Sequence, residues 1–138
     1  LMNVAESAKG IILLAYGTGN GPLWMLSVLK KIIKRNLVVA INTECMKGGV
    51  GKEYAASLIG QLKQDEEVHN RFINCAYLTS EASFTKLSVI IGKAGDPELS
   101  EEFQSKVIAE WRKFKQDGLD PPSADDNAID FDVSVPLV

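Results

Sequence analysis

The chain has 138 residues, of which 46% are hydrophobic and 24% charged, a composition typical of one globular domain. Its net charge of -3 argues against nucleic acid as a main partner. No apolar run reaches membrane-spanning length and no signal-peptide pattern is present, so we expect no membrane partner. Two cysteines, Cys45 and Cys75, are too few for a disulfide scaffold and favour a reducing, cytoplasmic setting. Because the chain starts at Leu1, we expect it to be part of a longer protein.

The most informative segment begins with an apolar run at residues 11–14, typical of a strand covered on both faces. The run ends in a Gly-Thr-Gly-Asn-Gly loop at residues 17–21. Asn20 is a candidate helix N-cap, and Pro22 suits the first turn of a helix. An apolar stripe with helical spacing follows: Met25, Val28, Leu29, Ile32 and Ile33.

A second unit of the same kind follows at once. Residues 37–41 predict another buried strand, which ends in Asn-Thr-Glu-Cys-Met at residues 42–46. A helix is predicted over residues 53–63, with Tyr54, Leu58 and Leu62 on one face. Successive strand–loop–helix units place their loops at one edge of a sheet, where open α/β folds bind ligands.

The rest of the chain predicts one short strand, at residues 72–76, and two helices. Thr79 or Ser80 caps the first helix, whose apolar stripe is Phe84, Leu87 and Ile91. The second helix follows Asp96-Pro97, ends at Gly118 and carries the stripe Phe103, Val107, Trp111 and Phe114, so that Trp111 is expected in the core. His69 stands alone in a polar loop and is expected at the surface.

These elements predict a three-layer, Rossmann-like α/β domain over residues 10–118, with a short, mostly parallel sheet flanked by helices. Residues 1–9 are predicted to be an interdomain linker, and residues 119–138 an acidic tail with five aspartates and no basic residue. Within the tail, apolar and other residues alternate with the period of a strand: Ile129, Phe131, Val133, Val135 and Leu137 lie on one face. Pro136 permits only an edge strand, and a mobile tail is the alternative.

Two glycine-rich loops raise other functions, and both lack required residues. A dinucleotide-binding loop needs a third glycine where Pro22 stands. It also needs an acidic residue at the end of the second strand, where Ile41, Asn42 and Thr43 stand, and Glu44 comes slightly late. The segment Lys-Gly-Gly-Val-Gly-Lys at residues 47–52 resembles the phosphate loop of the chromosome-partitioning ATPases. That loop needs Ser or Thr next to bind magnesium, and Glu53 stands there. We therefore predict no nicotinamide, flavin or nucleotide cofactor.

Self-contained hydrolytic or metal chemistry finds little support as well. The chain has no Gly-x-Ser-x-Gly motif, and its single histidine has no cysteine partner in an evident nucleophile pair. Cys45 and Cys75 both lie near carboxyl ends of predicted strands, but no second pair of metal ligands accompanies them. We predict no metal site.

Three segments, taken together, resemble one family. They are Leu-Ala-Tyr-Gly-Thr-Gly-Asn-Gly-Pro at residues 14–22, Asn-Thr-Glu-Cys-Met at 42–46 and Thr-Ser-Glu-Ala-Ser-Phe-Thr-Lys-Leu at 79–87. In order and spacing they are similar to the smaller, C-terminal domain of type I, cytoplasmic L-asparaginases. The resemblance covers about residues 9–93.

The resemblance implies a cofactor-free hydrolase that converts L-asparagine and water to L-aspartate and ammonia. In that family the nucleophilic threonine and its activating residues belong to a larger N-terminal domain. This chain has no segment similar to the Thr-Gly-Gly-Thr or Gly-Thr-Asp-Thr motifs, so it has no catalytic residues of its own and is expected to be inactive in isolation. The implied partners are the N-terminal asparaginase domain, a second subunit of a homo-oligomer and a small amide substrate or effector.

The family's ligand or effector contacts map onto Gly17, Thr18, Gly19, Asn20, Thr43 and Cys45. Their hydroxyl, amide and thiol groups suit a small polar ligand, although a cap, a turn residue and a small buried hydrophobe would explain them equally well. Leu14 stands where bacterial members with an allosteric site carry arginine, and Tyr77 replaces a usual aspartate. A non-catalytic binding or subunit-interface module, or an amidotransferase subunit, remains an alternative.

Overall fold

The computed structural model describes residues 8–17, 19–43, 57–76, 78–95 and 98–113. Seven elements follow one another in the order β1 (Gly10–Ala15), α1 (Leu23–Lys34), β2 (Val38–Thr43), α2 (Leu58–Gln64), β3 (Ile73–Asn74), α3 (Ser80–Ala94) and α4 (Glu101–Lys113). In this described part, no helix combines the length and apolar character needed to cross a membrane.

The three described strands form a parallel sheet in the order β1-β2-β3. Gly10 lies opposite Val38 and Ala15 opposite Thr43, so that β1 and β2 end at the same level. Each of the six residues of β2 is buried, as expected for a central parallel strand with helices on both faces.

Alternation along β2 divides the core into two halves. Val39 and Ile41 pack with the helices α1 and α2, whereas Val38 and Ala40 pack with α3 and α4. Both clusters consist of buried aliphatic and aromatic side chains, which supply the main favourable term in folding. The predicted three-layer α/β class with a short parallel sheet is confirmed.

The strand β1 departs from the prediction that it is covered on both faces. Only Ala15 is buried, and Leu14 is 44% exposed. The reason is its position, since β1 is an outer strand of the described sheet and loses the cover that a neighbouring strand would provide. Gly10 lies under α3, where a Cβ atom would come within 2.8 Å of the Ile91 side chain.

The start of α1 also differs from the prediction. Pro22, two residues after Asn20, occupies the N-cap position and provides no side-chain hydrogen bond. Asn20 instead accepts a hydrogen bond from the Gly21 N–H at 2.9 Å, so it shapes the loop rather than capping the helix. The predicted apolar stripe is confirmed at its centre, where Leu29, Ile32 and Ile33 are buried.

In α3 the predicted cap is confirmed and part of the stripe is wrong. The Thr79 hydroxyl accepts a hydrogen bond from the Ala82 N–H at 3.2 Å. Phe84 is 67% exposed, because the helix buries Ser83, Leu87 and Ile90 instead. Ser83 faces inward to meet a polar partner on β2, which turns Phe84 outward.

The helix α4 is fixed to the sheet by apolar packing and by one polar side chain. Trp111 is buried, as predicted, together with Phe103 and Val107. Gln104 is only 1% exposed, and its amide donates to the carbonyls of Ile33 and Leu37 at 3.0 and 2.8 Å. These carbonyls lie where α1 ends and the chain enters β2, so Gln104 joins α4 to this junction, where the Ile33 carbonyl also accepts from the Asn36 N–H at 2.9 Å.

Several predictions fall outside the described residues. They concern the linker at 1–7, the phosphate-loop-like segment and Tyr54 within 44–56, the helix residue Phe114 and the acidic tail at 119–138. The helix predicted over 53–63 is described from Leu58, where Ser57 caps it by accepting from the Gly60 N–H at 3.0 Å. Leu58 and Leu62 are buried as predicted.

An ion pair between α1 and the chain after α2 predicts a small acid dependence of stability. The Lys30 ammonium hydrogen-bonds Asp65 and, with the Glu67 N–H, holds the pKa of that carboxyl below its ordinary value against the opposing effect of burial. Because the pKa of Asp65 is lower in the folded state, its ionised carboxylate stabilises the fold at pH values above the unfolded-state pKa. This stabilisation is lost as the pH falls through the folded-state pKa. Asp65→Asn should therefore lower the unfolding free energy at pH 7, and urea titrations should show the difference shrinking below a pH of about 4. A constant difference at all pH values would contradict this assignment, and Glu66→Gln on the exposed neighbouring residue is the control.

Candidate functional site

The carboxyl end of β1 leads into a tight turn built on two glycines. The Tyr16 N–H donates to the Asn20 carbonyl at 2.8 Å, and the Asn20 N–H donates back to the Tyr16 carbonyl at 2.7 Å. Gly17 and Gly19 have φ angles of 51° and 110°, in a backbone region that side chains disfavour. The turn therefore depends on glycine at these positions and brings its main chain back over the end of β1.

The carboxyl end of β2 contacts this turn directly. The Thr43 hydroxyl donates to the Gly17 carbonyl, and Thr43 lies opposite Ala15 in the parallel register. Four predicted ligand contacts, Gly17, Gly19, Asn20 and Thr43, thus meet at one edge of the sheet. Thr18 and Cys45 lie outside the described residues, so their positions stay predictions.

Asn42 supports the site from within the core, and its role was not predicted from the sequence. Its side chain is fully buried, with the amide donating to the Ser83 hydroxyl at 2.9 Å and the carbonyl accepting from the Thr43 N–H at 2.7 Å. Asn42 therefore couples the end of β2 to helix α3 and holds the main chain of Thr43. A polar residue directly after a continuous apolar run was the available signal.

The third strand ends at the same edge. The Cys75 N–H donates to the Ile41 carbonyl at 2.9 Å, and the Asn74 side chain accepts from the Ala76 N–H at 2.8 Å. Ala76 has a φ of 52°, an uncommon conformation for a residue with a side chain. Cys75 is buried, so it contributes to the core beneath this edge rather than to an exposed surface.

Glu81 adds a fixed negative charge in the first turn of α3. Its own backbone N–H and the hydroxyls of Thr79 and Ser80 lower the pKa of the carboxyl. Glu81 therefore stays ionised near neutral pH, close to the helix N-terminus, where a carboxylate is favourable.

The loop edge is rimmed by large exposed apolar side chains, which we call the apolar rim. They are Leu14 and Tyr16 on β1 and its turn, Leu23 and Trp24 at the start of α1, and Phe84 on α3. Leu14 pairs with Asn42 in the sheet, and Asn42 hydrogen-bonds Ser83 of α3, the residue before Phe84. The side chains of Leu14 and Phe84 therefore lie on the same face of the sheet. Large exposed apolar side chains at the same edge as a polar loop site suit an interaction surface.

Within the described residues, no three His, Cys, Asp or Glu side chains come together in a way that could hold a metal ion. His69 is exposed and hydrogen-bonds the Glu66 carbonyl and the Asn70 amide, which confirms its surface assignment. The described part of the site offers hydroxyl, amide and main-chain groups. These groups can bind and orient a polar ligand. Nucleophilic catalysis would in addition need a general base next to the nucleophile.

The parallel sheet, the glycine turn and the polar residues at the strand ends define an α/β domain with a ligand-binding edge. The family model described as Glutaminase/Asparaginase C-terminal domain matches residues 2–103. The chain belongs to this family.

Curated relatives carry the name 60 kDa lysophospholipase. The human protein is 31% identical over 120 residues, which cover 86% of this chain and 19% of the relative. The mouse protein is 30% identical over 103 residues, covering 73% of this chain and 16% of the relative. The chain thus spans about a fifth or less of the length of these relatives.

A solved structure supports the same family. The thermostable L-asparaginase from Thermococcus kodakarensis superposes with a TM-score of 0.56 and 25% sequence identity. The match covers 77% of this chain and 30% of the asparaginase chain. The resemblance to the C-terminal domain of an asparaginase is confirmed.

Proposed function

We propose that the chain is the C-terminal domain of an asparaginase that hydrolyses L-asparagine to L-aspartate and ammonia. The match of residues 2–103 to the asparaginase C-terminal family carries this proposal, and the likeness to an L-asparaginase structure supports it. The domain supports catalysis by another part of the protein, because the threonine motifs of the family have no counterpart in its sequence.

The loop edge is the part of this domain that serves the ligand. Gly17, Thr18, Gly19, Asn20, Thr43 and Cys45 would contact the amide substrate or an effector. The hydrogen bond from Thr43 to Gly17 and the buried support by Asn42 favour this role, because a preorganised polar edge binds a small ligand with little ordering cost.

The remaining parts of the proposal concern assembly. An N-terminal asparaginase domain would pack against the apolar rim, with residues 1–9 as the linker between the domains. A homo-oligomer would bring this domain to the neighbouring subunit's active site. The charge, cysteine content and resemblance together favour a cytoplasmic protein.

The name of the relatives raises a second candidate function, hydrolysis of a lysophospholipid ester. The identity of 31% with the human 60 kDa lysophospholipase supports it, and the apolar rim offers a surface for an acyl chain. In this case the same domain would present apolar side chains to the substrate rather than polar groups.

Assays of the full-length parent protein separate the two candidates. We expect ammonia release from L-asparagine and no fatty acid release from lysophosphatidylcholine. Thr43→Val should lower asparagine turnover, whereas Thr85→Val, on the exposed face of α3, should not. Fatty acid release without ammonia release would support the second candidate and contradict the first.

The residue Leu14 predicts the form of the asparagine dependence. An arginine at this position would hold the ligand carboxylate through a charged hydrogen bond worth roughly 1.5–3 kcal/mol, and leucine removes it. We therefore expect a hyperbolic rate dependence of the full-length protein on asparagine. A Hill coefficient clearly above one, lost on Thr43→Ala or Cys45→Ala, would show instead that an effector site survives.

A further inference from the structure

A groove runs along the outer side of β3, at the edge of the sheet remote from β1. Its volume is about 370 Å³, and we call it the β3 groove. Phe72 and Ile73 form its wall on the strand side, and Ile108 and Trp111 form its wall on helix α4. Lys63 from α2 and Arg112 from α4 add positive charge on opposite sides.

The strand beside this groove is an outer strand. β3 pairs with β2 through Ile73 and Asn74, and in the described sheet no further strand lies beyond it. An outer strand next to an apolar groove can accept an added strand, whose main chain pairs along the edge and whose alternate side chains fill the groove.

Trp111 is a wall residue of the groove whose indole N–H is buried without a partner in the described part of the chain. The residue is 2% exposed, and its indole N–H has no hydrogen-bond partner among the described residues. Buried indole N–H groups are normally hydrogen-bonded, since leaving one unpaired is costly. The side chain lines the β3 groove, so its indole signals report on whether the groove is occupied.

The chain itself contains a segment with the required pattern. Residues 129–137 alternate apolar side chains with Asp130, Asp132, Ser134 and Pro136, and residues 119–138 hold five aspartates and no basic residue. Helix α4 ends at Lys113, one residue after Arg112 of the groove. The 15 residues 114–128 could span up to roughly 50 Å when extended, which is ample to reach β3.

We propose that residues 129–137 dock in the β3 groove as an added edge strand of the same chain. The apolar face, centred on Phe131 and Val133, packs against Ile108 and Trp111 on the α4 side. Asp130 and Asp132 point to the opposite side of the sheet, toward Lys63 of α2. The acidic segment complements the positive charge of the β3 groove, whereas the outer edge of β1 is bordered by the apolar rim. We therefore place the segment in the groove and not on β1.

Hydrogen exchange and the tryptophan indole signals of the complete 138-residue chain test the proposal. We expect amides of residues 131–135 to exchange more slowly than a random coil, by about tenfold or more. Phe131→Ser/Val133→Ser should abolish this protection and shift the Trp111 indole resonance, while the resonance of the exposed Trp24 stays unchanged. Ser134→Ala, on the other face of the segment, is the matched control and should preserve both signals.

Charge reversal distinguishes the β3 groove from other docking sites. Lys63→Glu should reduce the protection, and adding Asp130→Lys/Asp132→Lys to that variant should restore it. Random-coil exchange throughout residues 129–137 overturns the proposal. Protection that is unchanged by the charge substitutions also overturns the proposal, because the segment then docks at another edge. Protection that increases with protein concentration overturns it as well, because the segment then docks on a second copy.

Discussion

Replacing Trp111 by alanine should lower the unfolding free energy of the 138-residue chain by about 3–5 kcal/mol. The side chain is 2% exposed and packs in the cluster between α3, α4 and the sheet. The Lys86 ammonium lies 4.4 Å from the centre of its ring, a cation–π contact that the substitution also removes. Urea unfolding monitored by circular dichroism measures the change.

The chain provides its own control in its other tryptophan. Trp24 is 66% exposed at the start of α1, so Trp24→Ala should change the unfolding free energy by no more than about 0.5 kcal/mol. Equal losses for the two variants would contradict the assignment of Trp111 to the core and of Trp24 to the apolar rim.

The second large effect concerns Asn42, the buried support of the loop edge. Asn42→Ala removes hydrogen bonds to the Ser83 hydroxyl and from the Thr43 N–H, and leaves both groups without these partners. Because an unsatisfied buried group costs its desolvation energy, we expect a loss of about 1–3 kcal/mol in unfolding free energy. The same unfolding experiment measures it.

A double-mutant cycle isolates the pair that joins β2 to α3. Ser83→Ala, measured alone and with Asn42→Ala, should give a coupling energy of about 0.5–3 kcal/mol. Ser88→Ala, on the exposed side of the same helix, should have almost no effect. Additive losses from Asn42 and Ser83 would show that their hydrogen bond contributes nothing to the fold.

The sequence predicted the layers of the fold because its hydrophobic periods are strong. The continuous apolar run at β2 and the helical stripe ending in Ile32 and Ile33 each have one clear interpretation. The exposure of β1 was mispredicted because the same kind of run also occurs in an outer strand. The local pattern of apolar residues does not reveal whether a strand is central or outer in the sheet.

The polar contacts were predicted less well, for a related reason. Asn20 has the chemistry of an N-cap, yet the loop places the helix start two residues later, after Pro22. Phe84 fits an apolar stripe, but the bond between Asn42 and Ser83 sets the rotation of α3. The rotation of α3 depends on partners 41 residues apart in sequence, which no local pattern reveals.

The location of the candidate site was predictable because parallel strands end at one edge. Gly17, Gly19, Asn20 and Thr43 meet there, as the strand–loop–helix order requires. The functional assignment needed the three family-like segments, since a glycine turn alone is shared by many unrelated folds.

In the proposed function, this domain serves an asparaginase without performing the chemistry itself. Ammonia release from L-asparagine should be measured for the purified 138-residue chain and for the full-length parent protein under the same conditions. We expect background release from the isolated chain and sustained turnover by the parent. Turnover by the isolated chain that is abolished by a substitution such as Thr43→Val would contradict this supporting role.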